Sequence, residues 1–183
     1  MITLVTGGAR SGKSGYAEQL AAQSGLAVVY LATAQARDAE MSRRIERHRA
    51  HRPAGWLTVE EPLALGAALR AQARADRCIV VDCLTLWLTN LMLADHPEQC
   101  DVATIDAGPR YTAERTDFLD ALRIAPGEII VVSNEIGMGV VPLGALNRHF
   151  VDEAGWLNQV VAACAERVVW MVAGCPVYAK GSA

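Results

Sequence analysis

The chain has 183 residues, 52% of them hydrophobic, with a net charge of −3 and a pI near 5.8. That length suits one domain with a substantial core, so a single domain over residues 1–183 is expected. Its 17 Lys and Arg against 20 Asp and Glu give no global basic footprint, which argues against a nucleic-acid partner. Met1 is followed at once by an apolar β-type run, and no apolar run approaches the ~18 residues of a membrane span, so a soluble, cytoplasmic protein is expected. Cysteines at 78, 83, 100, 164 and 175 form no CxxC pair, and neither zinc nor disulfides are expected.

In chain order, short β-branched runs alternate with helical stretches. Ile2 to Thr6, Ala27 to Ala32, Cys78 to Asp82, Glu128 to Ser133 and Arg167 to Val172 are continuous apolar runs, the pattern of parallel strands covered on both faces. Between them, Ser14 to Gln23 ends in Ser24-Gly25, a helix C-cap. Asp38 can cap a helix running to about Arg52 and stopped by Pro53. Pro62 opens a Leu/Ala-rich helix to about Ala75, Leu84 to Leu93 forms another, and Tyr111, Phe118 and Leu122 mark one closed by Pro126-Gly127. The polar stretch from Leu93 to Arg110 is expected as a surface excursion, and Lys180 to Ala183 as a frayed tail. The fold class is therefore α/β: three layers, a mostly parallel sheet flanked by helices, with right-handed crossovers.

The most informative stretch is Gly7-Gly8-Ala9-Arg10-Ser11-Gly12-Lys13-Ser14, which fits GxxxxGK[ST] between a strand and a helix. Glycines there let consecutive N–H groups turn inward around an anion. Lys13 brings a charge to the terminal phosphates, and Ser14 offers a hydroxyl to Mg²⁺. A nucleoside triphosphate is the expected ligand. Asp82, at the carboxyl end of a buried strand, is the natural second Mg²⁺ partner, the alternative being a cap for the helix that follows.

Six arginines and two histidines lie in the 16 residues from Arg37 to Arg52. Met41, Ile45 and His48 fall on one helical face, and Arg44, His48 and His51 on an adjoining stripe, so His48 borders both. A neutral imidazole among arginines is a competent nucleophile toward a polyphosphate. Composition alone favours a solvated helix whose charges pair with Asp38, Glu40 and Glu46. Two further segments stand out: Ser133 to Pro142, where a strand end meets Gly137 and Gly139, and Arg148 to Gln159, which mixes aromatic and polar groups.

Together, Thr6 to Ser14, Ala32-Thr33-Ala34, Arg44-Ile45 with His48, Asn134 to Pro142, and Arg148, Asp152, Gly155, Asn158 and Gln159 resemble the bifunctional adenosylcobinamide kinase/adenosylcobinamide-phosphate guanylyltransferases of cobalamin biosynthesis. The resemblance runs nearly end to end. It implies a RecA-like P-loop fold and two reactions. A nucleoside triphosphate, GTP or ATP, phosphorylates the aminopropanol hydroxyl of adenosylcobinamide. GTP then donates GMP to adenosylcobinamide-phosphate through a guanylylated histidine, giving adenosylcobinamide-GDP and pyrophosphate. By motif match that histidine is His48, although some relatives carry adjacent histidines where this chain has Arg47-His48. The resemblance further implies a homotrimer, and nucleotide contacts at Gly7 to Ser14, at Ala32, Thr33 and Ala34, at Arg49, Ala50, His51 and Arg52, at Glu60 and at Asp82. From the residues alone, a P-loop kinase of another small molecule and a non-catalytic nucleotide-dependent switch remain as alternatives.

Overall fold

Alternate residues of the apolar runs point to opposite faces of one sheet, and both sets are buried. Ile2 and Leu4, Val29 and Leu31, Ile79 and Val81, and Ile129 and Val131 enter one core cluster. Val5, Val28, Tyr30, Cys78, Val80, Ile130 and Val132 enter the other. A computed structural model describes residues 1–36, 38–95 and 108–182, with the side chains of Arg44, Arg47, His48, His51 and Asp95 outside the described set. Arg37 and residues 96–107, within the expected surface excursion, also lie outside it.

In chain order the described elements are β1 (Ile2–Gly7), α1 (Lys13–Gln23), β2 (Ala27–Ala32), α2 (Ala39–His51), β3 (Leu57–Glu60), α3 (Leu65–Gln72), β4 (Arg77–Asp82), α4 (Leu84–Asp95), α5 (Pro109–Ile124), β5 (Glu128–Val132), α6 (Ala145–Cys164), β6 (Arg167–Val172) and β7 (Cys175–Lys180). The sheet runs β3-β2-β4-β5-β1-β6-β7, parallel except for the β6–β7 hairpin. Its two cores differ in thickness. Helices α3, α4, α5 and α6 supply the larger one, where Trp87 packs edge-on to Phe118 with ring centroids 5.2 Å apart and donates its indole N–H to the Leu63 carbonyl. On the opposite face α1 supplies Ala17 and Ala21, small residues that let the helix lie close to the strands.

Three expectations change. The helix expected from Pro62 begins at Leu65, because the Glu61 carboxylate accepts the amides of Leu63 and Ala64 and holds that stretch as a turn. The edge strands β3 and β7 escape the pattern that marks buried strands: Leu57–Glu60 is short and mixed, and Cys175–Lys180 carries Pro176 and is mostly exposed. Lys180 is not frayed: it pairs with Val168 across the hairpin, and its ammonium donates to the carbonyls of Ala162 and Ala163 at the end of α6, favourable ground for a cation.

Candidate nucleotide site

The phosphate loop leaves β1 at Gly7. A Cβ there would stand 2.6 Å from Ser11 Oγ and 2.7 Å from the Met171 carbonyl oxygen, so the loop folds back on the sheet only over glycine. Gly12, at φ 94°, supplies the left-handed turn into α1. Lys13 opens that helix; its buried ammonium reaches back to the Gly8 carbonyl at 2.9 Å. The loop is held from both sides. Glu135 N donates to Gly7 O, and Gly174 N, in the β6–β7 turn, donates to Ser11 O, each at 3.0 Å. The hydroxyls of Thr6 and Ser11 are buried with no hydrogen-bond partner among the described residues. Buried polar groups ordinarily find partners, and a bound phosphate would supply one here.

A cleft opens from Lys13 and Ser14 across the carboxyl ends of the strands. It holds about 820 Å³ of empty space, counting the solvent at its mouth. Ala32, Ala34, Asp82 and Cys83 form its floor, Met41, Ile45, Arg49 and Arg52 its basic side, Glu60 its β3 edge, and Leu86 and Asn134 its far wall. The peptide between Asp82 and Cys83 is cis. On the basic side Arg49 pairs with Glu60, and α2 begins under a cap in which Asp38 Oδ1 accepts Met41 N at 2.7 Å. The backbone of α2 carries His48 and His51; their side chains lie outside the described residues. Ala50 is exposed.

The described hydrogen bond of Asp82 goes to Tyr30, not to a helix amide: the Tyr30 hydroxyl donates to Oδ2 at 2.5 Å. Residue 80 faces Tyr30 in the strand register, which places Asp82 diagonally across on the same face of the sheet. The Arg52 guanidinium carbon lies 3.6 Å from the centroid of the Tyr30 ring. Burial, and then the Asp82 charge, push the Tyr30 phenol above its usual range, so it stays a donor. Burial likewise raises the Cys83 thiol to about 11, with the Asp82 charge adding to it. At neutral pH that thiol is protonated, 3.2 Å from Thr85 Oγ1, and is no nucleophile.

Thr33 is absent from the cleft lining. Fully buried, its hydroxyl donates to Cys83 O and accepts from Cys83 N, both at 2.8 Å, while Asn90 Nδ2 donates to Thr33 O at 2.7 Å. Thr33 thus braces the strand ends beneath the cleft. Asn134 donates to Thr85 Oγ1 and its carbonyl accepts Asn158 Nδ2 at 3.2 Å. Beyond Asn134 the chain exposes Met138, Val140, Val141 and Leu143, with Trp156 on α6 also more than half exposed. Tyr30 and Asn134 were not among the site residues expected from sequence. A tyrosine in mid-strand whose hydroxyl needs a partner was the available signal for the first.

A hard-oxygen pair, the Ser14 hydroxyl and the Asp82 carboxylate, lines this cleft, and among the described residues no cluster of three His, Cys, Asp or Glu side chains could hold a metal alone. Such a set fits Mg²⁺ shared with phosphate oxygens better than a metal caged by protein.

The family model for "Cobinamide kinase / cobinamide phosphate guanyltransferase" matches residues 3–179. The chain belongs to that family. It is accordingly an enzyme, a kinase and guanylyltransferase. Among its relatives, the bifunctional adenosylcobalamin biosynthesis protein CobP of Pseudomonas aeruginosa is 59% identical over 181 residues, covering 99% of this chain and 98% of that protein. Those named CobU from Escherichia coli and Salmonella typhimurium are 40% and 41% identical, each covering 98% of this chain and the whole of the relative.

Solved structures agree at the level of fold. A prototypical ATPase from the type III secretion system of pathogenic bacteria matches with a TM-score of 0.53 at 13% identity, covering 92% of this chain and 50% of its own. The ATPase EscN from enteropathogenic E. coli matches at 0.55 and 12%, covering 94% of this chain and 43% of its own. The chain spans half or less of those ATPases. The family member thus has the RecA-like P-loop architecture, a mostly parallel sheet of seven strands with flanking helices.

Proposed function

We propose that this single-domain family member phosphorylates the aminopropanol hydroxyl of adenosylcobinamide with GTP or ATP, then transfers GMP from GTP to adenosylcobinamide-phosphate through guanylylated His48. The observation that carries this reading is the shared cleft. Lys13 and Ser14 line one end, Arg49 and Arg52 at the carboxyl end of the His48 helix line the other, and Asp82 lies on the floor. A triphosphate cradled at the loop has its γ-phosphate beside Lys13, ready for the substrate hydroxyl. The guanosine end runs toward the basic side. There His48 attacks the α-phosphorus, an N–P bond forms, the α–β bridging P–O bond breaks, and pyrophosphate leaves. The phosphate of the cobinamide intermediate then displaces the histidine, closing the P–O–P linkage. Two displacements replace one direct encounter of phosphate anions. Ser14 and Asp82 would hold Mg²⁺ here, and it would supply charge neutralisation at the phosphates.

The exposed apolar groups at 138–143 and Trp156 support corrinoid contact on the Asn134 side, and the reading includes a cytoplasmic homotrimer. The mechanism is tested by incubating the protein with Mg²⁺ and GTP labelled at the α-phosphate, denaturing it, and measuring acid-labile label. Wild type is expected to carry label and His48→Ala none, with kinase turnover kept. No wild-type label, or label undiminished in His48→Ala, refutes the assignment, and a pure kinase or a switch would hold nucleotide only noncovalently.

A further inference from the structure

We propose that Tyr30 is a positioning residue that serves two opposite charges at once, its hydroxyl orienting the Asp82 carboxylate for the metal and its ring face holding Arg52 at the nucleotide. The inference rests on the reading of Asp82 as a Mg²⁺ partner and extends it to a side chain with no phosphate-loop or strand-end motif of its own.

The geometry is specific. Tyr30 is 1% exposed, its hydroxyl donates to Asp82 Oδ2 at 2.5 Å, and the Arg52 guanidinium carbon lies over the ring, 3.6 Å from its centroid. Asp82 makes no ion pair among the described residues, although Lys13, Arg49 and Arg52 line the same cleft. A cationic partner would fix the carboxylate but cancel the charge that attracts a divalent ion. A phenol, neutral at physiological pH, fixes one oxygen and leaves the full negative charge on a carboxylate that lines the cleft. Partners of this kind behind a metal-binding carboxylate typically change metal affinity 10- to 100-fold when removed. The ring does separate work. Its negative face attracts Arg52, the residue that ends α2, and so ties the basic helix to the same side chain that sets the carboxylate. Among the described residues the Arg52 side chain otherwise has only a long contact, 3.4 Å, to Thr58 Oγ1, and its Nε is buried without a partner.

The test uses the full chain with the β,γ-imido analogue of GTP, titrated with Mn²⁺ and followed by electron paramagnetic resonance. Analogue affinity in EDTA is measured in parallel. Tyr30→Phe keeps the ring under Arg52 and removes the hydroxyl, so Mn²⁺ affinity is expected to fall about 10-fold while analogue affinity in EDTA stays within about twofold. Tyr30→Leu, which removes both contacts, is expected to lose Mn²⁺ affinity similarly and to weaken analogue binding in EDTA as well. Asp82→Asn separates the inference from the reading beneath it. If Asp82→Asn binds Mn²⁺ as wild type does, both fall. If Asp82→Asn loses the ion while Tyr30→Phe retains wild-type affinity, the role of Tyr30 alone is overturned. Equal losses of metal-free nucleotide binding in Tyr30→Phe and Tyr30→Leu would also overturn it, since they would mark a general packing defect.

Discussion

The phosphate loop and the basic helix α2 face each other across one cleft, yet they are built in opposite ways. The loop is overdetermined. Gly7 has no room for a side chain, Lys13 is buried, and backbone bonds from Glu135 and Gly174 hold the loop from two neighbouring strand ends. No described residue of α2 is buried, and among the described residues its anchors are few: the half-buried Met41 and Ile45, an exposed ion pair from Arg49 to Glu60, and Arg52 on the Tyr30 ring. Groups that hold a common substrate feature can be rigid, whereas an element with few buried contacts is drawn from the low-stability end of a fold. A firmly held phosphate loop facing a helix whose described residues are lightly anchored suits an enzyme that is both kinase and guanylyltransferase.

The sharpest way to test that division is Lys13→Ala. Removing a charge from the fixed side is expected to lower phosphoryl transfer to adenosylcobinamide by at least ~10²-fold, the scale of losing one preorganised electrostatic contact. Unchanged turnover would place the catalytic charge elsewhere. A smaller effect, on stability, is expected from Gly7→Ala. Its new methyl meets Ser11 Oγ and backbone at Met171, and overpacking of that kind costs about 1–3 kcal/mol. In a chain of this length each kilocalorie lowers the melting temperature by ~2–4 °C, so a thermal melt reads it directly. A melt equal to wild type would show that the loop has slack the structure does not display. The smallest effect belongs to α2: Arg49→Gln breaks an exposed pair, its stability change should stay below ~1 kcal/mol, and the melt should barely move. A larger drop would mean that α2 is as firmly built into the fold as the loop.

What the sequence disclosed follows the same division. The buried strands announced themselves as apolar runs because both faces of the sheet are covered. The loop did so because its chemistry requires glycines, Lys13 and Ser14 at fixed spacing. Edge strands were hidden: Leu57–Glu60 is mostly exposed, and Cys175–Lys180 begins with Cys-Pro and faces water along most of its length. Asp82 was legible as a strand-end acid, but its partnership with Tyr30 depends on the β2–β4 register, information that lies in no single stretch of sequence. The bracing by Thr33 was equally invisible, because a threonine beside Ala32 and Ala34 looks like part of the cleft until its hydroxyl is found turned toward Cys83. His48 drew attention through its arginine-rich surroundings, and the chemical role proposed for it comes from the resemblance more than from periodicity.

The bond from Gly174 N to Ser11 O has a consequence for how the enzyme is made. β1 and the loop after it precede in the chain every element that holds them: β1 pairs with β5 and β6, and the loop leans on the turn between β6 and β7. Contacts separated by well over a hundred residues form slowly and late. A nucleotide therefore has no finished cradle to bind while the chain is still being synthesised. A chain cut short before β7 would carry its signature motif intact and its phosphate site unbuilt.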